Sequence, residues 1–193
     1  MKYLSSLLLV VVSLLVSVYA VAERKTAKEI QIVGEETNRI SQASAGFALK
    51  VLKARDKLAP FAMVLNMDNK ITLIEPVVPY IKNAPIKDKI NFLRGQVKNL
   101  AEKEEIKAAA LVSRGFGRGA VDKTKELPGL IVEQEHKRGP STLQFVPYEV
   151  KNGDYVAQQS TSTPKPRLFF NDKISSEETY KKIKQAVQQA EAK

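Results

Sequence analysis

The chain has 193 residues, with 31 Lys and Arg against 21 Asp and Glu, a single histidine and no cysteine, for a formal net charge of +10. Without cysteine it has no disulfide framework, no thiolate metal site and no acylated lipoprotein cysteine, and one histidine cannot supply the ligand set that zinc wants. The positive surplus attracts anionic partners in general, but no dense Lys/Arg block stands out, so the expected partners are an anionic envelope component or a protein, with nucleic acid set aside.

The first 22 residues read as an export signal. Lys2 is the positive start, "LLLVVVSLLVSV" the apolar stretch, and Ala20-Val21-Ala22 the small-residue cleavage site. Cleavage would leave a periplasmic or secreted chain of 171 residues (193 less 22), enough for one domain over 23–174, with a formal charge of +9 because only Lys2 is lost. The alternative is a membrane anchor left in place, since residues 3–22 form about 20 mostly apolar residues, near the length that spans a bilayer.

From Ala27 to Leu58, Ile30, Val33, Ile40, Phe47, Val51, Ala54 and Leu58 recur at steps of three and four, with Thr37 and Ser44 filling the same stripe. This spacing predicts one long amphipathic helix ended by Pro60, packed on its own sheet or pairing with a second subunit as a homo-oligomer. Two strands follow, 61–67 and 70–75, around a tight turn at Asp68-Asn69. Asn66, Asp68 and Asn69 hold a fragment of a calcium-loop spacing, but the loop's Gly and closing Glu are missing, so a hairpin turn is the reading. Pro76, Pro79 and Pro85 mark a connecting loop.

Ile86, Ile90, Leu93, Val97 and Leu100 predict a second helix over 86–104 despite Gly95. "IKAAALVSRG" reads as a buried strand and "FGRGAVDKTKELP" as a flexible, basic loop. In "SRGFGRGA", where strand meets loop, glycines 115, 117 and 119, flanked by Arg114 and Arg118, could touch an anion through backbone N–H groups, yet the Lys-Ser/Thr of a phosphate-binding loop is absent. "GLIVEQEHKRGPSTLQFVPYEV" then gives two strands with a turn at Arg138 to Ser141, Tyr155–Gln158 and Arg167–Phe170 read as short edge strands, and Ser175 with Glu178 forms a capping box opening a C-terminal amphipathic helix over 175–193.

The order predicts an α+β fold: an antiparallel sheet of about five strands packed against the long N-terminal helix and the second helix, with a C-terminal helix. It is similar to profilin-like and roadblock-like domains and, more loosely, to Cache-type sensor domains, a likeness of fold that carries little about function.

In "EQEHKRG" successive side chains alternate faces, which puts Glu133 and Glu135 on one side of the strand and Gln134 and His136 on the other. A turn centred on Gly139-Pro140 predicts the cross-strand pairs His136 with Leu143, Gln134 with Phe145 and Glu133 with Val146. His136 then reads as a packed strand residue with no acidic orienter for serine-histidine chemistry. "IKAAALVSRG", the "EQEHKRG" hairpin, the "VPY" strand and "PRLFF" together resemble a small family of uncharacterised bacterial proteins that carries an E-H-[KR]-x-G hairpin. No activity is attached to that family, so the resemblance implies no residue roles.

The sequence therefore predicts an exported, non-enzymatic binding or interaction protein. The alternatives are an extracytoplasmic small-molecule sensor of Cache type, with a pocket lined by Tyr80, Arg114, Tyr148 or Arg167, and a hydrolase working through Glu133, Glu135 and His136. Arg114, Arg118, Glu133, Glu135, His136, Tyr148 and Arg167 are the candidate binding residues. No catalytic set, metal or cofactor is assigned.

Overall fold

A computed structural model describes residues 2–118, 120 and 124–170, with side chains from Thr26 onward. The side chains of the proposed signal and the whole of the expected C-terminal helix at 175–193 lie outside the described residues.

Helix α1 (Lys2–Arg55) runs without a break into the domain. It buries a spine of Val33, Ile40, Ser44, Ala48 and Leu52 against the sheet. The first half of that spine follows the expected stripe. In the second half the buried line passes through Ala48 and Leu52 rather than Phe47 and Val51, which remain only partly buried. Strict three- and four-residue steps allow either line, and packing selected the one whose small Ala48 lets the helix approach the sheet. The helix also stops at Arg55, before Pro60. Asp56 takes φ 50 and donates its N–H to the Leu52 carbonyl at 2.7 Å, a left-handed terminus.

Strands β1 (Phe61–Asn66) and β2 (Ile71–Ile74) form the expected hairpin. Its turn is closed by Asn69, at φ 67, donating to the Asn66 carbonyl at 3.0 Å. The proline-rich connection contains a short helix, α2 (Pro79–Lys82), and α3 (Ile86–Glu102) follows, burying Leu93, Val97 and Ala101. Next come β3 (Ile106–Arg118), β4 (Glu126–His136) and β5 (Ser141–Lys151), then the short β6 (Asp154–Ala157) and β7 (Thr161–Pro164). The sheet is antiparallel, in the order β2-β1-β3-β4-β5-β6, with β7 pairing the other half of β5.

The fold class is the expected α+β, with seven strands among the described residues where about five were predicted. The short strands account for the difference: Thr161–Pro164 pairs with Thr142–Phe145 of β5, whereas 167–170, expected to be a strand, is a non-strand segment burying Phe169 and Phe170.

Helices cover the two faces of the sheet. Ala108, Ala110, Val112, Leu130 and Val132 meet α1 on one face, while Ala109 and Leu111 meet α3, Phe169 and Phe170 on the other. That is why residues 108–112 are apolar without alternation: both sides of β3 are covered. The run of alanines brings both helices close.

Candidate functional site

Alternation along β4 divides the charged cluster as the sequence predicts. Glu133 and Glu135 face the α3 side, and Gln134 and His136 face α1. The cross-strand register differs. Glu133 pairs with Leu143, Gln134 with Thr142 and Glu135 with Ser141, because the turn is centred on Arg138 rather than on Gly139-Pro140. Gly139 donates to the His136 carbonyl at 3.1 Å and Arg138 donates its N–H to His136 Nδ1 at 3.0 Å, so the histidine itself organises the turn. A Cβ on Gly139 would lie 2.6 Å from Val33 Cγ1, so α1 presses directly on this turn.

Glu135 is fully buried. Its Oε1 accepts Lys165 Nζ at 3.1 Å and the Leu168 N–H at 2.6 Å, and its Oε2 accepts the N–H groups of Phe169 at 3.0 Å and Phe170 at 3.4 Å. Arg167 answers in the opposite direction, donating to the carbonyls of His136 at 2.8 Å, Lys137 at 3.2 Å and Gly139 at 3.0 Å. The "EH" and "PRLFF" motifs are thus two halves of one clamp: an anion satisfies the backbone donors of the C-terminal segment, and a guanidinium satisfies the backbone acceptors of the turn. Both are charge-assisted bonds in buried or half-buried surroundings, where they are strongest. Glu133 is held beside them by Arg94 of α3, whose guanidinium reaches both carboxylate oxygens.

On the other face, His136 is 1% exposed and its Nε2 lies 2.8 Å from Glu36 Oε2. This corrects the sequence reading of a histidine beside Leu143 and Phe145 with no acidic partner. The partner comes from α1, 100 residues away in the chain. Lys107 Nζ completes the cluster, 2.9 Å from Glu36 Oε1 and 2.6 Å from Asn69 Oδ1. Burial drives the imidazole below its ordinary pKa against the opposing pull of Glu36. Burial would raise Glu36, but hydrogen bonds and charge from Lys107 and His136 outweigh it and hold the carboxyl below its ordinary value. A neutral ring with Nδ1 accepting from Arg138 must carry its proton on Nε2 and donate it to Glu36. Both nitrogens are then occupied, and the pair fastens α1 to the sheet rather than offering a base to solvent.

Gly115 and Gly117 of the glycine-rich stretch lie in strand β3, not in a flexible loop, while Gly119 lies outside the described residues. Gly115, Gly117 and Arg118 pair with Gly129, Leu127 and Glu126. A Cβ at Gly117 would lie 3.0 Å from the Phe145 ring, and one at Gly129 2.4 Å from it, so the glycines make room for a cross-strand aromatic. Arg118 ends β3. Arg114 stands 6.0 Å over the Tyr148 ring and donates to the Asp56 carbonyl at 3.1 Å, which seals the C-terminal end of α1 together with Tyr155, whose hydroxyl bonds the Asp56 carboxylate. Of the four residues expected around one pocket, Arg114 and Tyr148 meet. Tyr80 packs on Phe92 at the α2–α3 corner and Arg167 belongs to the clamp.

An open groove of about 630 Å³ lies elsewhere, between the last turns of α1 and the edge strand β2. Phe47, Val51, Ala54, Leu58, Phe61 and Leu73 give it an apolar floor, and Lys50, Arg55, Lys57 and Glu75 form its rim. Sequence reading missed it, though it carried one signal: α1 has more apolar residues than its buried spine uses, and Phe47, Val51 and Ala54 are the surplus. Among the residues whose side chains are described, Thr26 onward, no group of three or more His, Asp or Glu is placed to hold a metal, and no helix is long and apolar enough to cross a membrane. No protein-family model matches this chain, and no curated protein or solved structure is detectably similar to it.

Proposed function

We propose that this chain is an exported, non-enzymatic binding protein that engages an anionic envelope component or a protein partner. One observation carries the reading. Glu133, Glu135, His136 and Arg167, the groups best suited to chemistry, all hold the fold together. By contrast, Lys50, Arg55 and Lys57 stand exposed around an apolar groove, and no hydrogen bond or ion pair ties them down among the described residues. Exposed cations beside apolar surface recruit anionic partners without catalysing anything.

Export rests on the N-terminal pattern of Lys2, the apolar stretch and Ala20-Val21-Ala22. The test is binding of the full chain to vesicles of anionic and of neutral lipid, to acidic wall polymer and to envelope extract. Retention on at least one anionic partner, lost at high salt, is the expected result. A chain that stays monomeric and binds none of them overturns the reading.

A further inference from the structure

We propose that the groove beside β2 is a strand-addition site, taking a short extended segment of a partner protein that carries apolar and acidic side chains on one face. The inference rests on the binding reading above and names the partner's chemistry.

Three observations meet at this edge. First, among the described residues β2 is the end of the sheet and has β1 as its one strand neighbour. The Asn66 N–H bonds the Lys70 carbonyl at 2.9 Å, and the register runs Leu65↔Ile71, Val64↔Thr72, Met63↔Leu73 and Ala62↔Ile74. Hydrogen-bonded pairs alternate in an antiparallel ladder, so Thr72 and Ile74 bond β1 while the backbone groups of Ile71 and Leu73 point outward, away from the sheet. Leu73 thus offers a donor and an acceptor to an incoming strand.

Second, the same Leu73 sends its side chain into the groove, which Phe47 and Val51 of α1 and Leu58 just beyond it also line. A strand laid along β2 would place every second side chain over this apolar floor, the arrangement by which edge-adding peptides gain affinity from main-chain bonds and specificity from a pocket. The groove volume of about 630 Å³ falls within the ordinary range for a binding cleft.

Third, the rim selects the partner's charge. Three cations, Lys50, Arg55 and Lys57, face one acid, Glu75. That balance favours carboxylates on the groove-facing side of the added strand and disfavours a second copy of this chain, whose net charge is +10. Because β2 is only four residues long, pairing is confined to a short segment, and the groove must supply most of the discrimination.

The probe is a fluorescein-labelled octapeptide with threonine at every second position and isoleucine and aspartate alternating between them, both termini blocked, titrated into the full chain and read by anisotropy. The expected result is saturable binding, weakened by ~10-fold or more by Lys50→Glu with Lys57→Glu and by raised salt. Slowed hydrogen exchange at the Leu73 amide and no binding by the same peptide N-methylated at alternate amides complete the expectation. The proposal is overturned if the N-methylated peptide, or one with lysine in place of aspartate, binds equally well. It is also overturned if the native chain binds free laurate but not the peptide, which would make the groove a site for a single-chain amphiphile. If the peptide fails while retention on envelope partners survives Lys50→Glu with Lys57→Glu, the groove assignment falls and the broader binding reading stands.

Discussion

Replacing Glu135 with Gln removes one charge and one acceptor from the centre of the clamp, and its cost can be worked from the geometry. Each carboxylate oxygen already accepts: Oε1 from Lys165 and Leu168, Oε2 from Phe169 and Phe170. A glutamine keeps one carbonyl oxygen and turns an NH2 group toward the other set. Orienting its oxygen to Lys165 and Leu168 aims donors at the N–H groups of Phe169 and Phe170, and the flip aims them at an ammonium. Either way two accepted bonds are lost, and buried donors are left facing a donor. Hydrogen bonds to a charged acceptor contribute about 1.5–3 kcal/mol each, and removing one partner of a buried ion pair typically costs about 3–5 kcal/mol. The site is fully buried, so solvent cannot compensate. Glu135→Gln should therefore destabilise the chain by about 3–5 kcal/mol, measured as a lowered urea midpoint at unchanged slope. The amides of Leu168 and Phe169 should lose protection from hydrogen exchange first. A variant within about 0.5 kcal/mol of the native chain, the scatter of an ordinary surface change, would refute the claim that this carboxylate anchors the segment.

Two glycines test packing in opposite directions. Gly129→Ala sets a methyl 2.7 Å from the Val146 carbonyl oxygen as well as against the Phe145 ring, and because backbone cannot move aside it should cost about 1–3 kcal/mol. Gly95→Ala in α3 meets nothing within 4 Å and should stabilise by up to about 1 kcal/mol, both by urea titration. Acidification should destabilise in two stages. The folded His136 titrates below its ordinary 6.5, so its contribution is complete above pH 6.5 and is lost as pH falls through the lower folded value. Glu36, lowered from 4.5, adds a second loss below that pH. His136→Gln should abolish the first stage of the stability profile and leave the second. Finally, the Tyr148 hydroxyl is buried without a hydrogen-bond partner among the described residues, so Tyr148→Phe should leave the thermal midpoint unchanged or raise it.

The sequence by itself determined the fold class, the order of the main elements and the separation of His136 from its neighbouring glutamates. Each depends on periodicity within a few residues: steps of three and four for α1 and α3, and alternation for β4. The register of the β4–β5 hairpin escaped, because it depends on which of several polar residues takes the turn. His136 decided that by capturing the Arg138 N–H. The glycines of "SRGFGRG" read as a loop because nothing nearby reveals that Phe145, on the next strand but one, needs the space above Gly117. The candidate site was legible as a list of residues but not as a set of bonds. Glu36 meets His136 across 100 residues of chain and Phe169 meets Glu135 across 34, so local pattern holds no trace of either pairing. Only the tertiary structure decided that the most reactive-looking side chains are fastenings, and that an apolar groove rimmed by cations opens where α1 ends beside the edge strand β2.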